Sequence, residues 1–238
     1  MPYIPSSWIR PKILNQKGGS FDINRIKEKA PFMGSVIVLV LFQLLITFFI
    51  MEKLAKNEKI QATLSQNKAY LITLFVLPLI IILVLAFVPM HMYIKLILFT
   101  VFSILFGILL SVVRHLVTPE LIKVTIIAAL GIFISMFIVG IVLAGLGYDL
   151  FWMGMILFIL LLILVIAGIV MLFIGPDKKT LRIRAFFVML LFAVYIIYDT
   201  NQIIMRDYDN DYITAGLDYY LDFANVFVAL IELISNSN

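Results

Sequence analysis

Seven times along this chain a run of about 20 residues passes with almost no charge, and about 20 apolar residues is what an α-helix needs to cross a bilayer's hydrocarbon. Inside a membrane every backbone N–H and C=O must be paired within the protein. Runs of this length therefore read as helices, not strands. They fall at about Met33–Met51, Ala69–Val88, Ile94–Val113, Leu121–Ala144, Phe151–Phe173, Leu181–Ile204 and Ile213–Ile234. Apolar residues make up 63% of 238, roughly 150 residues, against 13% charged; a soluble domain runs nearer 45–50% and 25%. That stock matches seven spans and leaves little for a water-soluble domain. It excludes a disordered chain, a soluble enzyme fold and a nucleic-acid binder, despite a pI near 9.2. The excess of 18 Lys and Arg over 14 acids suits loops facing anionic lipid.

Residues 1–32 form a polar segment punctuated by Pro2, Pro5, Pro11, Gly18 and Gly19, with six bases and two acids before Met33. No apolar stretch lies near the start, so this is not a signal peptide. It predicts a flexible basic tail, or else a short helix over 20–30 on the bilayer surface. Residues 33–238 make the membrane domain. A charged linker runs from Glu52 to Lys68, Pro78 sits inside the second span, and Arg114-His115 closes the third. Ala128, Ala129, Gly131, Ser135 and Gly140 in the fourth span predict close helix contacts inside the bundle. The aliphatic fifth span is the one expected to face lipid most. Eight bases on the N-terminal side against ten on the other set no orientation. The six beside the first span favour a cytoplasmic N-terminus.

The chain has no cysteine and two histidines. Disulfides, thiolate metal sites, a Cys nucleophile and a three-His centre are therefore excluded. The first five spans hold no acid in their interiors, and the last two do. Asp199 lies in Tyr198-Asp199-Thr200-Asn201-Gln202, and Asp218 and Asp222 lie in Leu217-Asp218-Tyr219-Tyr220-Leu221-Asp222-Phe223-Ala224-Asn225. An ionised carboxylate at the centre of a bilayer costs at least about 2.5–3.5 kcal/mol, so such residues usually face the bundle and carry function. Asp218 and Asp222, four apart, share a helical face. Asp199 lies ten residues before Asp209 in the connecting loop and Asp222 thirteen after it. Antiparallel helices joined there would bring the two to similar depth. Carboxylates in contact cannot both ionise freely; such a pair shares a proton or binds a cation, and its state depends on pH. Asn201, Gln202 and Asn225 could add oxygens. The competing picture has Asp199 and Asp218 at water-facing helix ends, simply solvated, and for Asp218 the two stand level. Asp207, Asp209 and Asp211 alternate like a calcium loop but lack its glycine and closing Glu. They predict a solvated loop. Glu232, His91 and His115 read as interface residues, and the tyrosines and tryptophans mostly as packing or belt residues.

The Tyr198–Gln202 and Leu217–Phe227 segments resemble the closing signature of the Bax inhibitor-1 family, also called the transmembrane BAX inhibitor motif or LifeGuard family. Gln43-Leu44-Leu45-Ile46-Thr47 looks like its first span; Phe99-Thr100 and Gly107 fit more loosely. The resemblance implies an all-α, seven-helix transmembrane bundle with a central C-terminal helix. It implies a pH-sensitive calcium leak and a role in calcium homeostasis and inhibition of cell death. The membrane would be endoplasmic reticulum or Golgi in a eukaryotic or viral member, and plasma membrane in a bacterial one. The aspartate dyad maps onto Asp199 and Asp222, with calcium as a passing ion, and Asp218 resembles the extra acid of some branches. No cofactor is implied. Lipid, calcium and protons are the partners, with other membrane or cell-death proteins as further ones. The arginine that the bacterial branch places near the end of the second span is missing from Phe87-Val88-Pro89-Met90-His91-Met92; protonated His91 could stand in for it.

Two other classes compete. Intramembrane aspartyl proteases also carry Tyr-Asp in one helix and an Asp in the next. The second half needs Gly-x-Gly-Asp, however, and the chain has Gly216-Leu217-Asp218, or Gly145-Leu146-Gly147-Tyr148-Asp149 in the wrong loop. The expectation is that the chain is not an enzyme. A non-conducting scaffold that binds cell-death regulators is the second. A retinal receptor is excluded, since no lysine follows Lys179.

Overall fold

A computed structural model describes residues 21–236, and every regular element among them is a helix. In chain order these are α1 (Ile23–Ala55), α2 (Glu58–Gln66), α3 (Lys68–Phe87), α4 (Met92–Leu116), α5 (Pro119–Gly145), α6 (Met153–Ile174), α7 (Lys178–Met205) and α8 (Tyr212–Ser235). Five are long and apolar enough to cross a membrane: α1, α4, α5, α7 and, over Met153–Met171, α6. The apolar part of α3 is shorter, Ile72–Phe87, and α8 carries Asp218, Asp222 and Glu232 along its 24 residues. The chain is thus an all-helical, multi-pass membrane protein.

The helix ends are written in short polar side chains. Asp22, Asn57, Asn67, Thr118, Asp177 and Asp211 each cap a helix by accepting a backbone N–H one turn ahead, as residues of this type do at N-termini. Gly175 closes α6 at φ +67°, a left-handed conformation that glycine adopts without strain.

Two boundaries depart from the sequence expectation. The predicted tail reaches residue 32, but α1 begins at Ile23 and continues through Pro31 into the membrane. The stretch from Ile23 to Ala30 is therefore helical, yet it is the first two turns of α1 rather than a separate surface helix. At 33 residues α1 rises about 50 Å, well beyond a hydrocarbon core of about 30 Å. The rest of the expected tail, residues 1–20, lies outside the described residues. The linker from Glu52 to Lys68 is not loop either. α1 runs on to Ala55, and the short α2 follows, held by Gln61, whose Nε2 donates to the Leu54 carbonyl and Ser111 Oγ at 3.0 Å each.

α8 lies at the centre, packed on α7, α1, α5 and α4. Its Tyr219 and Tyr220 are fully buried. Tyr220 is ringed by Phe99, Phe102 and Phe106 of α4, and Tyr219 by Phe133 and Phe137 of α5. These edge-on aromatic contacts add to the burial itself. α6 packs on α7 and is otherwise exposed, as the aliphatic fifth span predicts. The small-residue span α5 divides. Ala129 and Gly140 face the bundle, whereas Gly131 and Ser135 face outward.

Candidate functional site

The last two helices meet along buried polar residues. Asp199, Thr200, Asn201 and Gln202 of α7 and Asp222 of α8 are all buried. Asp199 and Asp222 are 8% and 3% exposed, so neither is a solvated helix end. They are near enough to interact with each other electrostatically. Asp218, one turn earlier on α8, is partly buried and close enough to feel the charges of Asp199 and Asp211. Two carboxyls brought together bond each other only through a shared proton. Asp222 Oδ2 and Gln202 Oε1 are buried acceptors with no donor among the described residues. Gln202 lies three residues after Asp199, on the same face of α7. Leftover acceptors in an interior suit a proton, a water or a cation.

The other anticipated residues have separate tasks. Asn201 Oδ1 accepts the Leu150 N–H at 3.0 Å and Gln202 Nε2 at 3.2 Å, while its Nδ2 donates to the Tyr148 carbonyl at 2.8 Å. It fastens the α5–α6 loop to α7 and has no oxygen to spare for an ion. Asn225 donates to the Leu221 carbonyl of its own helix at 2.7 Å. His91 is an exposed cap of α4, accepting the Tyr93 N–H at 3.4 Å and stacked on that ring. No described contact links it to the carboxyl pair, so the substitute latch is not formed here. Among the described residues, no group of three or more acids or histidines is disposed to hold a metal ion.

Tyrosines complete the surroundings, beyond the packing and belt roles expected of them. Tyr195 and Tyr198 lie close enough to Asp199 to interact with it electrostatically. Tyr219 donates to Thr200 Oγ1 at 2.8 Å. Tyr195 is four residues before Asp199, Tyr198 is adjacent, and Tyr219 is three before Asp222. That helical spacing was the available signal. Arg206, counted with the acidic loop, is buried beneath the chain end of α7, its guanidinium 4.1 Å from the Phe151 ring centre. A cation over an aromatic face is a stable placement, and no spacing rule would have found it.

The α7–α8 turn is the end of the two helices nearest to the pair. Asp199 is six residues from the end of α7 and Asp222 ten from the start of α8, depths of about 9 and 15 Å. The start of α1 closes over it. Asp22 N–H donates to the Gly145 carbonyl at 2.8 Å, Arg25 Nη1 to the Ala144 carbonyl at 2.8 Å, and Lys29 Nζ to the Arg206 carbonyl at 2.6 Å. At the same end Asp211 pairs with Lys95 of α4.

Residues 29–238 match the family described as inhibitor of apoptosis-promoting Bax1. A BI1-like protein of Arabidopsis thaliana is 26% identical over 208 residues, covering 85% of this chain and 79% of its own. Protein LIFEGUARD 4 of the same plant is 25% identical over 85% of this chain and 83% of its own. An uncharacterised protein of Campylobacter jejuni is 35% identical over 51% of this chain and 55% of its own.

Proposed function

The chain belongs to the Bax inhibitor-1 family, and on that premise we propose that it is a seven-span bundle whose buried pair, Asp199 and Asp222, gates a proton-sensitive leak of calcium. The observation that carries this is the closeness of two buried carboxyls with an acceptor left over, about 9–15 Å along their helices from the α7–α8 turn. Support for seven spans comes from α3 and α8, whose 20 and 24 residues would rise about 30 and 36 Å. The acids of α8 face the bundle rather than lipid.

With one proton shared, the pair is an acid-to-carboxylate hydrogen bond that holds α7 against α8. Loss of the proton puts two negative charges in contact, and the repulsion is relieved by separation of the helices or entry of a cation. Calcium is the substrate of this passage and not a resident group. The pair acts here as a gate rather than as a protease dyad. Asp149, one residue off the protease spacing and in the wrong loop, accepts the Phe151 N–H at 2.9 Å. In a cell with death machinery, the family's description as an inhibitor of apoptosis-promoting Bax1 points to restraint of cell death through the calcium content of the enclosed compartment.

The test is calcium flux from proteoliposomes across a pH series. Asp199→Asn and Asp222→Asn should each flatten the pH profile. A profile unchanged in both variants, or no flux from the purified chain, would overturn the proposal.

A further inference from the structure

Far from the carboxyl pair, the first turns of α7 and the last turn of α8 border a groove of about 470 Å³ lined by Lys179, Arg182, Ile183, Phe186, Phe187 and Leu233. We propose that this groove binds an anionic phospholipid, with the headgroup phosphate on Lys179 and Arg182 and an acyl chain along Ile183, Phe186 and Phe187. The five α7 residues recur at three- and four-residue spacing and so line one face of the helix. Lys179 is the second residue of α7 and Phe187 the tenth, so the apolar floor reaches about 12 Å deeper than the first cation. A phospholipid has the same layout, charge at the interface and hydrocarbon beneath. Ile183, Phe186 and Phe187 are about half exposed, which leaves a lipid-facing surface for the chain to cover.

Charge makes the slot selective rather than generally greasy. Glu232, beside Leu233, is held by Arg184 Nη2 at 3.0 and 2.7 Å. Asp177 lies close to Lys179, but its carboxylate caps α7 through the Thr180 N–H at 2.9 Å. With Glu232 balanced by Arg184, Lys179 and Arg182 outweigh the single charge of Asp177 and leave the groove with a net positive rim. A zwitterionic headgroup brings its own ammonium to that rim and is disfavoured; a headgroup whose phosphate is uncompensated is attracted. Arg182 adds a planar fork that fits phosphate oxygens.

The experiment is native mass spectrometry of the purified full chain, loaded with equal phosphatidylglycerol and phosphatidylcholine of matched acyl chains. Phosphatidylglycerol should be retained preferentially. Lys179→Gln and Arg182→Gln should each lower that preference about fivefold. Phe186→Ala with Phe187→Ala should lower total lipid retained while keeping the headgroup preference. Lys123→Gln, an exposed base at the start of α5, should behave as wild type. Equal retention of both lipids overturns the proposal. So does a preference that survives in the double basic variant, an equal loss in Lys123→Gln, or displacement of the lipid by inorganic phosphate alone. A dimer mass that the groove variants break would assign the groove to a second copy and overturn it too.

Discussion

Asp211 shows how much a single carboxylate does in this molecule. Its Oδ1 caps α8 by accepting the Thr214 N–H at 3.1 Å, and its Oδ2 takes the Thr214 hydroxyl at 2.8 Å and the Lys95 ammonium. Burial pushes this carboxyl up, but the Lys95 ammonium and the Thr214 bonds outweigh it and hold it below the ordinary carboxylate value. A carboxyl depressed in the folded state contributes stability that is whole above its unfolded value of about 3.9 and lost as pH falls through the folded one. The clasp between α4 and α8 should therefore persist through the neutral and mildly acidic range in which the buried pair is proposed to act. Lys95→Met should lower the melting temperature in detergent at pH 7. Its difference from wild type should shrink below about pH 4, and a gap still undiminished at pH 3 would contradict this. Asp199 and Asp222 were legible in the sequence because isolated acids in apolar runs are costly enough to need a reason. Asn201 and Gln202 were read as spare oxygens, but what occupies Asn201, like the burial of Arg206 against Phe151, was not legible. Both depend on what the α5–α6 loop brings to them, and that is decided by packing between distant parts of the chain.

Between elements, glycine sets how closely the helix carrying Asp199 can be approached. A Cβ on Gly140 of α5 would stand 2.5 Å from Thr200 Cβ and 2.8 Å from the Ile197 carbonyl, both on α7. The second of these is backbone and cannot swing aside. Gly140→Val should cost about 1–3 kcal/mol, the usual range for overpacking, read as a lowered melting temperature. Gly131→Val on the same helix meets nothing within 4 Å and should melt as wild type. Equal behaviour of the two would refute close packing as the role of Gly140. The small residues of this span announced a contact, but not which of them made it. Gly131 and Gly140 read alike in sequence, and only the neighbour α7 tells them apart. The start of α1 was hidden for a different reason. Arg25, Lys27 and Lys29 gave the segment the look of a solvated tail. Asp22 nevertheless caps a helix that carries through the proline.

At the scale of the whole molecule, those first turns of α1 tie together the two loops at the end nearest the buried pair. Lys29 reaches the Arg206 carbonyl, at the junction of α7 with its loop, and Arg25 reaches the Ala144 carbonyl, at the end of α5. The first bond ties α1 to the end of α7 and the second ties α1 to the end of α5. A movement of α7 away from α8 at this end would therefore load the first directly and the second through α1. Each joins a cation to a carbonyl, a class worth about 1.5–3 kcal/mol. If they oppose opening, their loss should raise the open population by at least about tenfold, since 1.4 kcal/mol is a factor of ten. Neither touches the carboxyl pair, so the pH at which the leak changes should stay where it is. Arg25→Ala with Lys29→Ala should therefore give faster calcium efflux from proteoliposomes at every pH, with an unmoved midpoint. Asp199→Asn, by contrast, should remove the midpoint altogether. A double variant with wild-type efflux would mean that α1 stabilises this end without restraining it, and a shifted midpoint would mean that the strap and the pair are one device.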